Sequence, residues 1–311
     1  MRKFILLIIL VGFSLSIRAS HLMGGEITWE CLKSGPKIGQ YVFTLVLYRD
    51  CNGGATLPTG TSNIMVWDHP SISQIPIMLD SMYDVSPICD PTNSGNPMLN
   101  CANGDIGAVQ KGIYISDTIA LTGTAPVGGW HFTWASCCRN GAITNGFQNE
   151  GFTLRAAMYP YLDPSTGNYL PADPCFDSSP VFKEEAKTIL CTGFPFSYSH
   201  NAYDIELDEL RYDWGQPLDQ MTGAVYNPPV IPAALPFTAP YTVNSPLPGN
   251  PSLDSITGEI SYNANQAGFF VTCVRVRALK CNQVIAEIYR EVQVVLIACP
   301  TMVGGNINNP P

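Results

Sequence analysis

The stretch "GEITWECLKSGPKIGQYVFTLVLYRDC", residues 25–51, alternates apolar and polar side chains on both sides of a short Gly- and Pro-containing segment. The apolar residues of each half share one face: Ile27, Trp29 and Cys31 in the first half, and Tyr41, Phe43, Leu45 and Leu47 in the second. A period of two residues is typical of a β-strand with one buried face. The stretch therefore predicts a β-hairpin.

The same alternation continues along the chain in short segments that turn-forming residues separate. Five further strands are predicted at residues 64–68, 75–79, 112–121, 130–137 and 151–159. A second hairpin is predicted near the end, where "GFFVTCVRVRAL" and "QVIAEIYREVQVVLIAC" flank a tight turn at residues 280–282. Short strands in this arrangement predict an all-β fold of the β-sandwich type, immunoglobulin-like in general form.

A segment dense in Pro, Asp and Gly, "YPYLDPSTGNYLPADPC" at residues 159–175, separates the predicted strands into two groups. We therefore expect two tandem β-sandwich domains, residues 20–175 and 176–299. Residues 300–311 are rich in Pro, Gly and Asn and resemble a linker. Further domains of the same polypeptide are expected if the chain is a fragment.

Residues 1–19 have the pattern of a secretory signal peptide, with a positive start, an apolar run and a small residue at a suitable cleavage position. The apolar run is too short to span a bilayer comfortably, and no later segment approaches that length, so no transmembrane segment is expected. Removal of Arg2, Lys3 and Arg18 moves the formal net charge from −9 to −12, which argues against nucleic acid as a partner. The expected location is extracellular or on the outer cell surface, with the periplasm as the alternative.

Eleven cysteines in an exported chain predict a framework of disulfides. Cys89 and Cys101 lie in a segment with few apolar residues, and a bond between them would stabilise it. Cys191 and Cys299 lie near the first and last strands of the predicted second domain. Because those strands are neighbours in many sandwiches, we expect these two cysteines to form a pair as well.

Two adjacent cysteines, Cys137 and Cys138, end the predicted strand in "HFTWASCCRN", residues 131–140. Successive side chains of an extended strand point to opposite faces, so each cysteine is expected to bond to a separate partner. Cys31 and Cys51 are the candidate partners. A zinc site would need further Cys or His at short spacing, and a redox centre more usually has Cys-x-x-Cys.

Six motifs occur in an order that resembles one known group of proteins: "SHLMGGEITWECL", "YVFTLVLYRDC", "HFTWASCCRN", "PCFDSSPVF", "CTGFPFSYSHNAYD" and "LDSITGEISY…GFFVTCVRVRA". They resemble the N-terminal region of large exported Bacteroidota proteins with PKD-like or cadherin-like immunoglobulin repeats. Many of those proteins end in a gliding-motility-associated C-terminal module that type IX secretion recognises. The resemblance covers nearly the whole mature chain and implies a multidomain surface or secreted protein of adhesive or structural type.

Residues 201–214, "NAYDIELDELRYDW", place Asp204, Glu206 and Asp208 at alternate positions. Calcium prefers several oxygen ligands of this kind, and the cadherin-like resemblance implies calcium at an Asp-x-Asp-Gly-Asp run. Here Leu207 stands where that run has glycine. Ile205 and Leu207 alternate with the acids, which favours an extended strand whose carboxylates are solvated. We therefore expect at most weak calcium binding at these three residues, and no other cofactor.

The four histidines, His21, His69, His131 and His200, lie in neither a Gly-x-Ser-x-Gly elbow nor a His-Glu-x-x-His helix. We therefore expect a non-catalytic exported cell-surface module, structural or adhesive, with other surface proteins or glycans as partners. The alternative is a glycan-binding or carbohydrate-active secreted protein, because sandwich folds host both and aromatic side chains can stack on sugars. A concave face with Trp130, Trp214 or tyrosines beside paired acids would favour the alternative.

Signal-peptide cleavage should leave Ser20 as the first residue of the mature chain, because Ile17 and Ala19 follow the apolar run at the positions that signal peptidase reads. N-terminal mass spectrometry of the exported protein tests this expectation. Retention of Met1 in the exported protein would contradict it.

Overall fold

The computed structural model describes residues 22–54, 56–86, 99–105, 107–186 and 189–298. Within these ranges the chain forms eighteen β-strands and no α-helix, so the all-β prediction is confirmed. The predicted signal peptide, residues 1–19, and the predicted tail, residues 300–311, lie outside the described residues.

The strands follow one another in short steps along the chain. The first nine are β1 (Leu22–Cys31), β2 (Tyr41–Asp50), β3 (Ser62–Trp67), β4 (Gln74–Asp84), β5 (Val109–Ser116), β6 (Trp130–Ser136), β7 (Phe152–Met158), β8 (Leu162–Asp163) and β9 (Asn168–Tyr169). The remaining nine are β10 (Val181–Phe182), β11 (Ile189–Cys191), β12 (Phe196–Ser199), β13 (Ala202–Tyr203), β14 (Glu209–Trp214), β15 (Ser252–Leu253), β16 (Glu259–Tyr262), β17 (Gly268–Lys280) and β18 (Gln283–Ile297).

Eleven of these strands form one sheet, in which β1, β2, β5, β4, β3, β6, β7, β18, β17 and β14 are successive neighbours and β11 pairs with β18. β1 also pairs with β18, so the hydrogen-bonded pairings from β1 round to β18 form a closed circuit. Three small sheets, β8–β9, β10–β13 and β12–β16–β15, complete the described fold.

Both predicted hairpins form antiparallel pairs. β1 and β2 pair over nearly their whole length, with Ile27 opposite Leu45 and Trp29 opposite Phe43. β17 and β18 are joined by two residues, Cys281 and Asn282, with φ angles of 50° and 63°. Positive φ at both central residues is typical of the two-residue turn that suits the twist of a hairpin.

The predicted boundary between residues 175 and 176 does not divide the large sheet. β18 lies in the predicted second domain, yet one part of it pairs with β7 and another part with β1. β14 and β17 extend the same sheet beyond β18. Strands from both sides of residue 175 therefore share one hydrogen-bonded sheet.

Aromatic side chains form the centre of the main hydrophobic core. Phe132 on β6 packs against Phe43 and Trp29, with ring centroids 4.7 Å and 5.6 Å away. All three side chains are buried, as is Trp130 on the same face of β6. Burial of side chains of this size is the dominant favourable contribution to the stability of such a fold.

Two glycines allow β1 to lie closely between its neighbours. A Cβ atom on Gly24 would overlap the carbonyl oxygen of Glu291 on β18, and one on Gly25 would overlap the carbonyl oxygen of Val46 on β2. Gly24 also has a φ of 133°, which side-chain-bearing residues rarely adopt. The pairing of the first strand with the last therefore requires glycine at this point.

Two buried ion pairs fix β18 to other elements. Arg290 donates from Nη2 to Glu26 on β1 at 2.6 Å, and it also stacks over Phe182 at 4.0 Å from the ring centre. Glu291 accepts from Arg139 at 2.5 Å. All four charged side chains are almost fully buried, at 2% exposed for each arginine and 6% for each glutamate.

The described disulfides differ from the predicted connectivity. Cys101 bonds to Cys51 and not to Cys89, which lies outside the described residues. Cys51 directly follows β2, and its N–H donates to the carbonyl of Ala108, so the end of β2 lies beside the loop that carries Cys101. Spacing along the chain does not reveal this neighbour, because the contact depends on the pairing of β2 with β5.

Cys137 and Cys138 bond to each other, not to separate partners. β6 ends at Ser136, so the alternation of a strand no longer sets the direction of the next two side chains. Cys31, one of the two candidate partners, bonds to Cys175. Cys191 is disulfide-bonded, but the predicted pair with Cys299 stays a prediction because residue 299 lies outside the described residues. The described free thiols are those of Cys273, which is buried, and Cys281, which is exposed.

Substitution of Glu26 by Gln should lower the free energy of unfolding by about 3–5 kcal/mol, because Arg290 would remain buried without a counter-charge. Urea unfolding of the full chain measures the change. The matched control is Glu209→Gln, which breaks the exposed Glu209–Arg211 pair and should cost about 0–1 kcal/mol. Equal losses in the two variants would show that the buried pair does not fix β1 to β18.

Candidate functional site

The acidic run does not form the predicted extended strand. β13 ends at Tyr203 and β14 begins at Glu209, and the residues between them form a turn. Oδ1 of Asp204 accepts from the backbone N–H groups of Glu206 and Asp208 at 3.0 Å and 3.1 Å. Asp204 therefore stabilises the turn, because its side-chain carboxylate accepts the hydrogen bonds that a backbone carbonyl would otherwise accept.

Leu207 takes the left-handed conformation that this turn requires, with a φ of 65°. Its side chain is 78% exposed, and that of Ile205 is 57% exposed, so neither enters the core as the alternation predicts. A left-handed conformation is unfavourable for leucine, and the hydrogen bonds of the turn to Asp204 hold Leu207 in it.

Lys280 contacts one of the predicted calcium ligands, Asp208, together with Asp177. Nζ of Lys280 donates to Oδ2 of Asp208 at 2.6 Å and to Oδ1 of Asp177 at 2.9 Å. Glu206 accepts from Ser178 at 3.1 Å. In the described part of the chain, no group of three or more His, Cys, Asp or Glu side chains has the arrangement of a metal site. We call Asp177, Asp208 and Lys280 the Lys280 cluster.

Burial changes the acidity of this cluster. It raises the pKa of Asp177 to about 8, although Lys280 acts in the opposite direction. Burial would lower the pKa of Lys280, but hydrogen bonds to Asp208 and Asp177 outweigh it and raise that pKa above its usual value. Burial also raises the pKa of Asp204 to about 6. Asp177 therefore holds its proton at a pH at which an exposed aspartate is ionised.

A second candidate site lies on the outer face of the large sheet. The strand register places Trp67, His131, Ala157, Glu287 and Arg277 side by side across β3, β6, β7, β18 and β17. These residues alternate with the core residues of the same strands, so their side chains point away from the core.

A loop covers part of this face and turns it into a cleft with a volume of about 200 Å³. We call it the Tyr226 cleft, and its lining is His131, Arg155, Ala156, Ala157, Tyr159, Tyr226, Pro228, Glu287 and Tyr289. The ring of Tyr226 stacks on Trp67 with centroids 6.1 Å apart and lies 4.9 Å from His131. Tyr226, Tyr159 and Tyr289 therefore give the cleft an aromatic lining.

Arg155 and Glu287 provide the charges of the Tyr226 cleft. The guanidinium of Arg155 lies 3.9 Å from the ring centre of Tyr289, and it donates to the carbonyl of Gln216 at 3.1 Å. Glu287 accepts from the hydroxyl of Tyr289 at 2.5 Å. These contacts hold both charged groups in fixed positions. Hydroxyl-rich ligands match a lining that combines fixed charges with aromatic surface.

Burial lowers the pKa of His131, although Asp68 acts in the opposite direction. The neutral imidazole offers one donor and one acceptor to a ligand. Burial raises the pKa of Tyr226, so its hydroxyl remains protonated at neutral pH. The cleft therefore presents neutral hydrogen-bonding groups beside Arg155 and Glu287.

The aromatic residues of the cleft are not the tryptophans that the sequence suggests. Trp130 is completely buried in the core, and Trp214 is partly buried on β14. The cleft uses Tyr226, Tyr159 and Tyr289 instead. Tyr226 lies in the Pro-rich segment "VYNPPV", where the alternation that marks strand residues is absent. An aromatic residue inside a Pro-rich loop was the signal available in the sequence.

His200 lies in a different place, beside a small apolar cavity of about 30 Å³. Its ring packs against Tyr198 and Phe182, with centroids 5.0 Å and 5.8 Å away. Neither ring nitrogen has a hydrogen-bond partner among the described residues. Burial lowers the pKa of His200 well below its usual value, and the charge of Arg290 acts in the same direction.

Because the native pKa of His200 lies below its unfolded value of about 6.5, its contribution to stability should be present above that pH and lost as the pH falls. The loss should approach about 1.4 kcal/mol per pH unit below pH 6. Urea unfolding at pH 7.5 and pH 5, for the wild type and His200→Phe, measures it. The control is His69→Asn, at a half-buried histidine whose pKa burial lowers less far, so this variant should reduce the pH dependence less than His200→Phe does. An unchanged pH dependence in His200→Phe would assign the titration to other groups.

Comparison of the chain with protein-family models, with curated proteins and with solved structures finds no significant match. Among the described residues, no helix is long and apolar enough to cross a membrane. The interpretation of both polar sites therefore depends on their own geometry and chemistry.

Proposed function

We propose that this chain is a non-catalytic, exported cell-surface module of adhesive type, which binds a glycan in the Tyr226 cleft. The observation that carries the proposal is the cleft itself, where aromatic rings, a neutral histidine and two fixed charges surround about 200 Å³. Sugars combine an apolar ring face with hydroxyl groups, and this lining offers a surface for both. A volume of this size suits one sugar unit better than a drug-sized ligand.

Binding without hydrolysis fits the charges of the cleft best. Glycoside hydrolysis usually needs a pair of carboxyl groups that flank the scissile bond. Among the described lining residues, Glu287 is the one carboxylate, and it is engaged by the hydroxyl of Tyr289. The carbohydrate-active alternative would require a second acid in reach of the same ligand.

The wider proposal is an extracellular or outer-surface part of a larger multidomain protein with a structural or adhesive role. The resemblance to exported Bacteroidota surface proteins and the three described disulfides support it. As part of this proposal, the chain consists of two immunoglobulin-like or cadherin-like sandwiches, and β18 is shared between them. Near the cleft, Val225 and Val230 are 58% and 68% exposed, an apolar rim suited to a surface contact.

An array of immobilised neutral hexoses, N-acetylhexosamines and uronic acids, followed by calorimetric titration of the best binder, tests the proposal. Tyr226→Ala should weaken binding about 2- to 13-fold, because one aromatic contact contributes about 0.5–1.5 kcal/mol. The matched control is Tyr203→Ala, at a tyrosine that is 39% exposed and outside the cleft lining. The proposal fails if no sugar on the array binds, or if the two variants weaken binding equally.

A further inference from the structure

The Lys280 cluster brings an amine and two carboxyl groups from three separate segments into direct contact. Lys280 ends β17, Asp208 immediately precedes β14, and Asp177 lies between Cys175 and β10. The amine is 2.9 Å from Asp177 and 2.6 Å from Asp208. The two aspartate side chains are 7% and 10% exposed, and that of Lys280 is 23% exposed. An ordinary ion pair on a protein surface has one carboxylate, and its side chains are exposed. The Lys280 cluster differs in both respects.

We propose that Lys280 and Asp177 condense spontaneously to form a side chain–side chain amide, with Asp208 as the group that accepts the proton from the amine. Nothing in the proposed glycan-binding function requires this bond, and it lies on residues that the Tyr226 cleft does not use. The step would add a covalent link between β17 and the segment that follows the Cys31–Cys175 disulfide.

The condensation balances without an oxidant or a co-reactant. Asp208 takes one proton from the ammonium of Lys280, and the neutral amine then adds to Cγ of protonated Asp177. The Nζ–Cγ bond forms, the bond from Cγ to the hydroxyl oxygen breaks, and the hydroxyl leaves as water with a second proton from Nζ. The products are one amide, one water molecule and protonated Asp208.

The chemistry assigns different roles to the two aspartates. Asp177 is the more buried and holds its proton, since burial raises its pKa to about 8, and a protonated carboxyl loses its hydroxyl more readily than a carboxylate. Asp208 makes the shorter contact with the amine, and its backbone N–H is bound to Asp204, which fixes its position. It is therefore placed as the proton acceptor. The same contacts raise the pKa of Lys280 and oppose this transfer, so proton transfer limits the rate of the condensation.

The fold holds both reactants in place before the reaction. Glu209 lies opposite Leu279 in the pairing of β14 with β17, so Asp208 and Lys280 are brought together by strand register. The segment of Asp177 is fixed to β1 through Ser179, whose N–H and hydroxyl both contact the carbonyl of Trp29. Positioned groups of this kind react with effective concentrations on the order of 10⁵–10⁸ M. Low exposure also keeps bulk water away from the amide once it has formed.

Intact mass spectrometry of the full exported chain, after reduction and alkylation of its cysteines, tests the proposal. The measured mass should be lower than the calculated mass by that of one water molecule. Tandem spectra of a digest should contain a branched peptide in which Lys280 is joined to Asp177. Lys280→Arg retains the positive charge but cannot form the amide, so it should have the full calculated mass.

The chain contains an internal control. Lys111 contacts Glu185 at 2.7 Å, a distance similar to those in the cluster, but the glutamate side chain is 48% exposed. Among the described residues, no second carboxylate forms an ion pair with this amine. Lys111 should therefore remain unlinked. Asp208→Asn should form the Lys280–Asp177 bond more slowly, as seen in the time course of the mass loss after refolding.

Three results would overturn the inference. They are a wild-type chain with the full calculated mass, a mass loss that persists in Lys280→Arg, and a branched peptide that joins Lys280 to Asp208 in place of Asp177. Because the main measurement uses the wild-type chain, it does not depend on whether a variant folds.

Discussion

The ion pair between Glu26 and Arg290 joins the first described strand to the last, and the closed circuit of strands depends on that contact. The next residue, Glu291, points to the opposite face of β18 and pairs with Arg139. β18 thus carries one buried charge pair on each face. Burial would lower the pKa of Arg290, but Glu26 outweighs this effect and raises that pKa, so Arg290 remains charged inside the protein. The cost of desolvating both charges offsets much of their attraction, whereas removal of one partner leaves the other charge buried and uncompensated.

Both polar sites owe their geometry to the hairpin of β17 and β18. Glu287 and Tyr289 bring charge and aromatic surface from β18 to the Tyr226 cleft, and Lys280 stands at the end of β17 just before the turn. The two sites differ in how open they are to a ligand. The cleft has a concave surface that a ligand can enter, whereas the Lys280 cluster is closed around its own groups. Binding and covalent strengthening can therefore coexist without a shared residue.

The sequence predicts the hairpins well, because alternation over residues 25–51 and 268–299 directly reflects which face of each strand is buried. It predicts the cleft poorly, since Trp67, His131 and Glu287 become neighbours only through the pairing of strands distant along the chain. Alternation also misleads where a side chain replaces the backbone as hydrogen-bond acceptor. Asp204 does so, and it converts a strand-like pattern into a turn. The prediction of separate partners for Cys137 and Cys138 is wrong for a related reason. Both cysteines lie just beyond the end of a strand, where alternation no longer applies.

The pairing of β1 with β18 has a consequence for the order in which the protein folds. Synthesis from the N-terminus delivers β1 long before β18, so one edge of β1 stays unpaired until Gln283–Ile297 has been made. An unpaired edge is a template for association with other chains. Gly24 and Gly25 lower the β-propensity of β1. A lower propensity disfavours pairing of its free edge with other chains before β18 is present. Contacts so distant along the chain also make folding slow, because a long loop must close before such a contact can form.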